Sequence, residues 1–305
     1  MLALSHRGNR SCGRATCHPC RVRPLTRNAV LAATVVGWVG LALGLDTGAS
    51  LTQQRLLGAG TWLLLLACLR GEARATRVQV AVVVAYASVI EYVFAGWLGV
   101  YVYRLHNVPA FVPPGHGLVY LAALAIGRSA WAHRHQRGLL GVTLTACAAW
   151  AVWGLAFAPR PDALGAFWFG CLLVFARWGR SRLVYAGAFL VVSYLEIVGT
   201  SLGTWAWQLH DPTGLVTIGN PPSGIAGGYA WFDAAALALT PRLLARWDAR
   251  RTGPGVSTKA PSPPLCWIGP RRAGRFAARS STSNVGAGPA SGARAQQAGD
   301  VTSWQ

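Results

Sequence analysis

The arginines of this chain are distributed in an alternating pattern, which constrains the fold more than any other feature. Eight apolar runs lie at about 29–45, 56–69, 78–103, 117–131, 138–158, 163–176, 183–207 and 224–239. The leader before them carries six arginines. The connections that follow carry one (Arg55), three (Arg70, Arg74, Arg77), one (Arg104), three (Arg128, Arg134, Arg137), one (Arg160), three (Arg177, Arg180, Arg182) and none. Ten Lys and Arg follow from Pro241 onward. Lys and Arg gather on the cytoplasmic side of a membrane protein. Eight spans with both ends cytoplasmic place every rich segment on one side and every poor one on the other. The expectation is an all-α, polytopic transmembrane helix bundle of about eight spans in the cell membrane, with cytoplasmic termini.

Composition agrees. The chain is 53% hydrophobic and 12% charged, against about 25% charged in soluble domains. The net charge of +19 is of the kind that nucleic-acid-binding domains carry. Here, however, the arginines stand between apolar runs and in the two ends, where they suit anionic head groups. Membrane lipid is therefore the expected partner, and nucleic acid is not. Four runs are shorter than the roughly 17–25 residues of a spanning helix, and for these the charge pattern carries the assignment.

The runs also repeat in length. Runs one to four are medium, short, long and short, and runs five to eight follow the same order. Gly99-Val-Tyr101-Val-Tyr103-Arg104-Leu105-His106-Asn107 has a counterpart in Gly203-Thr-Trp205-Ala-Trp207-Gln208-Leu209-His210-Asp211, and Pro113-Pro114 in Pro221-Pro222. Tyr120 pairs with Tyr229. An even number of spans per unit gives both units the same orientation. The bundle at 28–240 then divides into parallel repeats at 28–132 and 138–240, related by an axis along the membrane normal.

The flanks read differently. Residues 1–27 form a basic, disordered cytoplasmic leader without the cleavage pattern of a signal peptide. Cys12, Cys17, His18 and Cys20 lie close together there but not at a zinc-finger spacing. Residues 250–305, rich in Gly, Pro, Ser, Ala and Arg, cannot bury enough apolar surface to order themselves, and read as a disordered cytoplasmic tail.

Three acids fall inside the apolar runs: Glu91, Glu196 and Asp233. An ionisable group at membrane depth costs at least about 2.5–3.5 kcal/mol and normally faces a bundle interior or a wet cavity. A buried carboxyl favours its neutral form, which can donate or relay a proton. These three are the candidate catalytic residues. The bland reading is an interhelical hydrogen bond, for example from Glu to an indole or hydroxyl. Trp97, Tyr101, Tyr103, Trp205 and Trp207 follow the two glutamates toward the run ends. They suit an interfacial belt or an aromatic wall for an apolar substrate or carbocation. With His116 and Tyr229 they form the candidate substrate-binding set. Gly96, Gly99, Gly199 and Gly203 read as small residues that let helices approach closely.

No metal or cofactor is expected. The histidines near the poor connections show no HxxxH or ExxH spacing. No P-loop, Rossmann glycine pattern or G-x-S-x-G elbow is present, which disfavours ATP-driven transport by this chain alone and serine-hydrolase chemistry.

The segment Glu91–Pro114 resembles the membrane-embedded carotenoid-modifying proteins of the bisanhydrobacterioruberin hydratase and membrane-type lycopene cyclase group. The similarity lies in a membrane Glu followed by Gly99-x-Tyr101-x-Tyr103, Val108-Pro109 and Val112-Pro113. The second half departs from it, with Trp205 and Trp207 in place of the tyrosines. The resemblance implies a carotenoid or polyprenyl substrate class, with intramembrane carboxylates as acid and base. Two readings from the residues stand beside it: a proton-coupled secondary transporter, and a structural membrane protein whose glutamates tie helices together.

Overall fold

The computed structural model describes residues 25–252. The expectations for the Cys12–Cys20 cluster, the leader before Leu25 and the tail beyond Thr252 lie outside the described residues.

Each apolar run yields a helix, and local chemistry sets where several of them begin. Helix α1 covers Leu25–Asp46 and α2 covers Leu51–Arg70. Ser50 starts α2 with a capping box: its Oγ accepts from Gln53 N, and Gln53 Oε1 accepts from Ser50 N at 2.8 Å. Each of these bonds satisfies a donor that the helix leaves open. Helix α3 covers Arg74–Glu91 and runs directly into a π-helical turn, Tyr92–Trp97. Strand β1 (Tyr101–Tyr103) follows, then α4 (Val112–Gly127). Proline in the first turn of α4 costs no intrahelical bond there. The remaining elements are α5 (Ala130–Arg134), α6 (Gln136–Ala156), α7 (Ala163–Trp178), α8 (Arg182–Ser201), β2 (Trp205–Trp207) and α9 (Ala226–Thr252).

Four helical segments are long and apolar enough to cross a membrane: Arg27–Asp46, Arg74–Trp97, Gln136–Ala156 and Arg182–Ser201. The described chain is thus predominantly helical, with several membrane-compatible helices. Helices α4 and α7 are apolar but shorter.

One expectation is corrected. Runs 78–103 and 183–207 are not single helices; each ends in a turn and a three-residue strand. Gly99 (φ +64°) and Gly203 (φ +68°) take the left-handed conformation that reverses the chain and that residues with a Cβ resist. Gly99 and Gly203 therefore serve chain reversals and not the close packing of helices. Helix α9 continues through Pro241 to Thr252, beyond the end of the last apolar run. Its far end is held to α3 by an Arg74–Asp248 ion pair at 2.8 Å.

The core lies along α4 and α8. Every residue from Leu118 to Ala125 is buried, as expected of a helix that is apolar all round. Helix α4 packs on α1, α3 and α8, while α9 packs on α3, α7 and α8. Where α8 crosses α4, a Cβ at Gly187 would lie 2.9 Å from the Ala123 carbonyl oxygen, so this close approach requires glycine.

At one end of the bundle, β1 and β2 pair antiparallel, Tyr101 opposite Trp207 and Tyr103 opposite Trp205. Arginines pin this end. Arg104 donates to the Ala49 carbonyl at 2.6 Å, and Arg160 donates to the carbonyls of Trp207, Gln208 and Ile218. At the opposite end, the buried Glu72 pairs with Arg128 at 3.2 Å and Arg27 at 3.7 Å.

Candidate functional site

The strand pair roofs a cavity of about 220 Å³, and the two long-run glutamates both line it. Each carboxylate is held by the two aromatics of the strand that follows it in the chain. Glu91 Oε2 accepts from the Tyr101 and Tyr103 hydroxyls, both at 2.8 Å. Glu196 Oε2 accepts from the Trp205 and Trp207 indole N–H groups, both at 3.1 Å. The local sequence explains this. The turns at Gly99 and Gly203 send each strand back beneath its own helix end. Residues i and i+2 of a strand share a face, so both aromatics of each strand point at the acid. Gly199 is the second condition: a Cβ there would collide with the Trp205 indole ring.

The two shells differ in kind. Glu91 Oε1 meets His116 Nε2 at 2.8 Å, and His116 Nδ1 meets the Tyr229 hydroxyl at 2.9 Å. The His116 and Tyr229 rings are also stacked, with centroids 5.5 Å apart. Hydroxyls and imidazole nitrogens can both give and take protons, whereas an indole N–H only donates. Glu91, His116 and Tyr229 therefore form a chain along which a proton can move by a change of imidazole tautomer. The four aromatic donors themselves make one cluster. Tyr101 and Trp207 lie 4.6 Å apart between ring centroids, and Tyr103 and Trp205 lie 6.1 Å apart.

The structure brings most of the sequence-derived candidates together. Glu91, Glu196, Tyr101, Tyr103, His116, Trp205, Trp207 and Tyr229 all line the cavity. Trp97 does not: it sits on the π-turn with 80% of its surface exposed. Asp233 does not line the cavity either. It is buried on α9, where its Oδ1 accepts from the Tyr120 hydroxyl at 2.9 Å, tying α4 to α9.

Other contributors escaped the sequence reading. Trp38, Phe111, Trp168 and Phe232 also line the cavity, and Phe232 meets both His116 and Tyr229 edge-on. Asp162 organises the connection before α9. It caps α7 by accepting from Gly165 N at 2.9 Å, and it also accepts from Gly219 N at 2.8 Å and Ser223 N at 2.7 Å. The available signal is an Asp immediately before an apolar run, as N-caps are. Among the described residues, no group of three His, Cys, Asp or Glu is placed to hold a metal ion.

Comparisons with protein-family models, with curated proteins and with solved structures give no match.

Proposed function

We propose that this is a multi-pass integral membrane enzyme acting on a carotenoid, polyprenyl or similarly apolar lipid. In this reading eight helices span the cell membrane as two four-helix units of like orientation, and both termini are cytoplasmic. The carrying observation is that the two carboxyls of the long helices converge on one aromatic-walled cavity. The like placement of Glu91 beneath Tyr101 and Tyr103, and of Glu196 beneath Trp205 and Trp207, supports the two-unit arrangement.

The chemistry follows from the two shells. Glu91 and His116 share a proton that can be delivered to an alkene carbon at the cavity wall. The carbocation so formed is sheltered by the faces of Tyr and Trp rings. Glu196 supplies a second carboxylate that lowers the energy of the developing positive charge. Loss of a proton back to the dyad completes an isomerisation or cyclisation, and capture of water followed by proton loss completes a hydration. Comparing lipid and pigment extracts of cells with and without the chain tests this reading: a shifted isoprenoid or pigment species is expected, and identical extracts refute it.

Proton-coupled transport is the second reading. It is favoured by the equivalent position of the two carboxyls between the halves, the arrangement of repeat-built transporters. In reconstituted vesicles, solute uptake driven by a pH gradient and abolished by Glu91→Gln would select it.

A further inference from the structure

We propose that the groove between the N-terminal half of α3 and the C-terminal end of α9 binds an anionic phospholipid. The groove encloses about 940 Å³ and lies at the end of the bundle away from the strands. Its floor is apolar, with Val78, Ala81, Val82 and Ala85 from α3 and Leu243 and Leu244 from α9. Its rim carries Arg74, Arg77, Arg246, Arg250 and Arg251, and no acid lines it. The neighbouring Asp248 is ion-paired with Arg74 and leaves the rim strongly positive. An apolar trough capped by guanidiniums matches an acyl chain beneath a phosphate. Such a rim attracts anionic head groups, and a zwitterionic head group brings no net charge to it.

Two details place the site at a head-group level. Arg77 is aimed by its own bonds, Nε to the Glu72 carbonyl at 3.0 Å and Nη2 to the Arg70 carbonyl at 3.2 Å. The exposed Trp247 ring lies between Arg74, at 5.9 Å, and Arg251, at 6.0 Å. Tryptophan flanked by arginine is the side-chain chemistry of the membrane interface. The site rests on the bundle standing in a bilayer. Failure of that premise shows separately, as a chain that does not partition into vesicles.

The test is native mass spectrometry of the full chain extracted from vesicles of equal phosphatidylglycerol and phosphatidylcholine. The wild type should retain phosphatidylglycerol preferentially. An arginine at an anionic surface contributes about fivefold in affinity, so R246Q/R250Q should lose more than about tenfold. These two side chains make no hydrogen bond or ion pair among the described residues, so the fold should survive their change; Arg250→Gln alone carries the test if the double variant fails to insert. R134Q/R137Q removes the same charge from another connection and should change retention little. A81W/A85W fills the floor and should also lose retention. Equal retention of both lipids by the wild type, an equal loss in the R134Q/R137Q control, or full retention in A81W/A85W would each overturn the site.

Discussion

The rings of Tyr101 and Trp207 lie 4.6 Å apart across the β1–β2 pair, yet each donates its polar hydrogen to a different carboxylate. Tyr101 serves Glu91, and Trp207 serves Glu196. One strand pair thus joins the segments that follow α3 and α8 and holds both acids at the cavity.

Removing single donors should separate the two shells. Tyr103→Phe withdraws one hydrogen bond from Glu91 and should cost about 1–3 kcal/mol of stability. Trp205→Phe should cost a similar amount through Glu196. Each loss should exceed that of Trp97→Phe, whose ring is exposed. Thermal unfolding in detergent measures all three.

Gly199→Ala should be more damaging than its size suggests. The added methyl collides with the Trp205 indole, and overpacking of this kind costs about 1–3 kcal/mol. Double substitution with Trp205→Phe should recover part of the loss, because the smaller ring reopens the space. A Gly199→Ala protein with unchanged unfolding temperature would contradict the described packing.

Asp162 accepts three backbone amides, two of them from the connection between β2 and α9. Asp162→Ala leaves these donors buried without a partner, at about 1–3 kcal/mol for each unsatisfied group. Amide exchange should rise at Gly219 and Ser223 while the centre of α4 stays protected.

Acid should loosen the 211–217 loop before the bundle. The Thr213 hydroxyl and the Val216, Thr213 and Leu215 amides hold the Asp211 carboxyl below its ordinary value of 3.8. A group with a depressed folded pKa gives its stabilisation in full above the unfolded value and loses it as pH falls through the folded one. Protection at Leu215 and Val216, taken relative to the intrinsic exchange rate at each pH, should fall as pH is lowered past about 4. Asp211→Asn should remove that dependence.

Much of the helical scaffold was legible in the sequence, because apolar runs separated by arginine clusters carry a strong signal. Glu91 and Glu196, each followed by a pair of aromatics, stand out in the sequence as alike. Their geometry does not. A three-residue strand inside an apolar run has no periodicity of its own, so Tyr101–Tyr103 and Trp205–Trp207 read as helix ends. Gly199 and Gly203 then looked like helix-packing residues. In the sequence His116 and Tyr229 stand apart, because their partnership joins residues 113 positions apart and depends on how α4 and α9 close on α3. Asp233 reads as a third intramembrane acid because depth along a helix is visible in a sequence, whereas the face it presents is set by packing.

Glu91 and Glu196 are proposed to act together on an apolar lipid in one cavity. The most direct measurement is the lipid and pigment profile of cells producing the wild type, Glu91→Gln and Glu196→Gln at matched protein levels. An isoprenoid or pigment product is expected with the wild type and its loss in both variants, with the proteins still folded and inserted. A product that persists undiminished in either variant would contradict it.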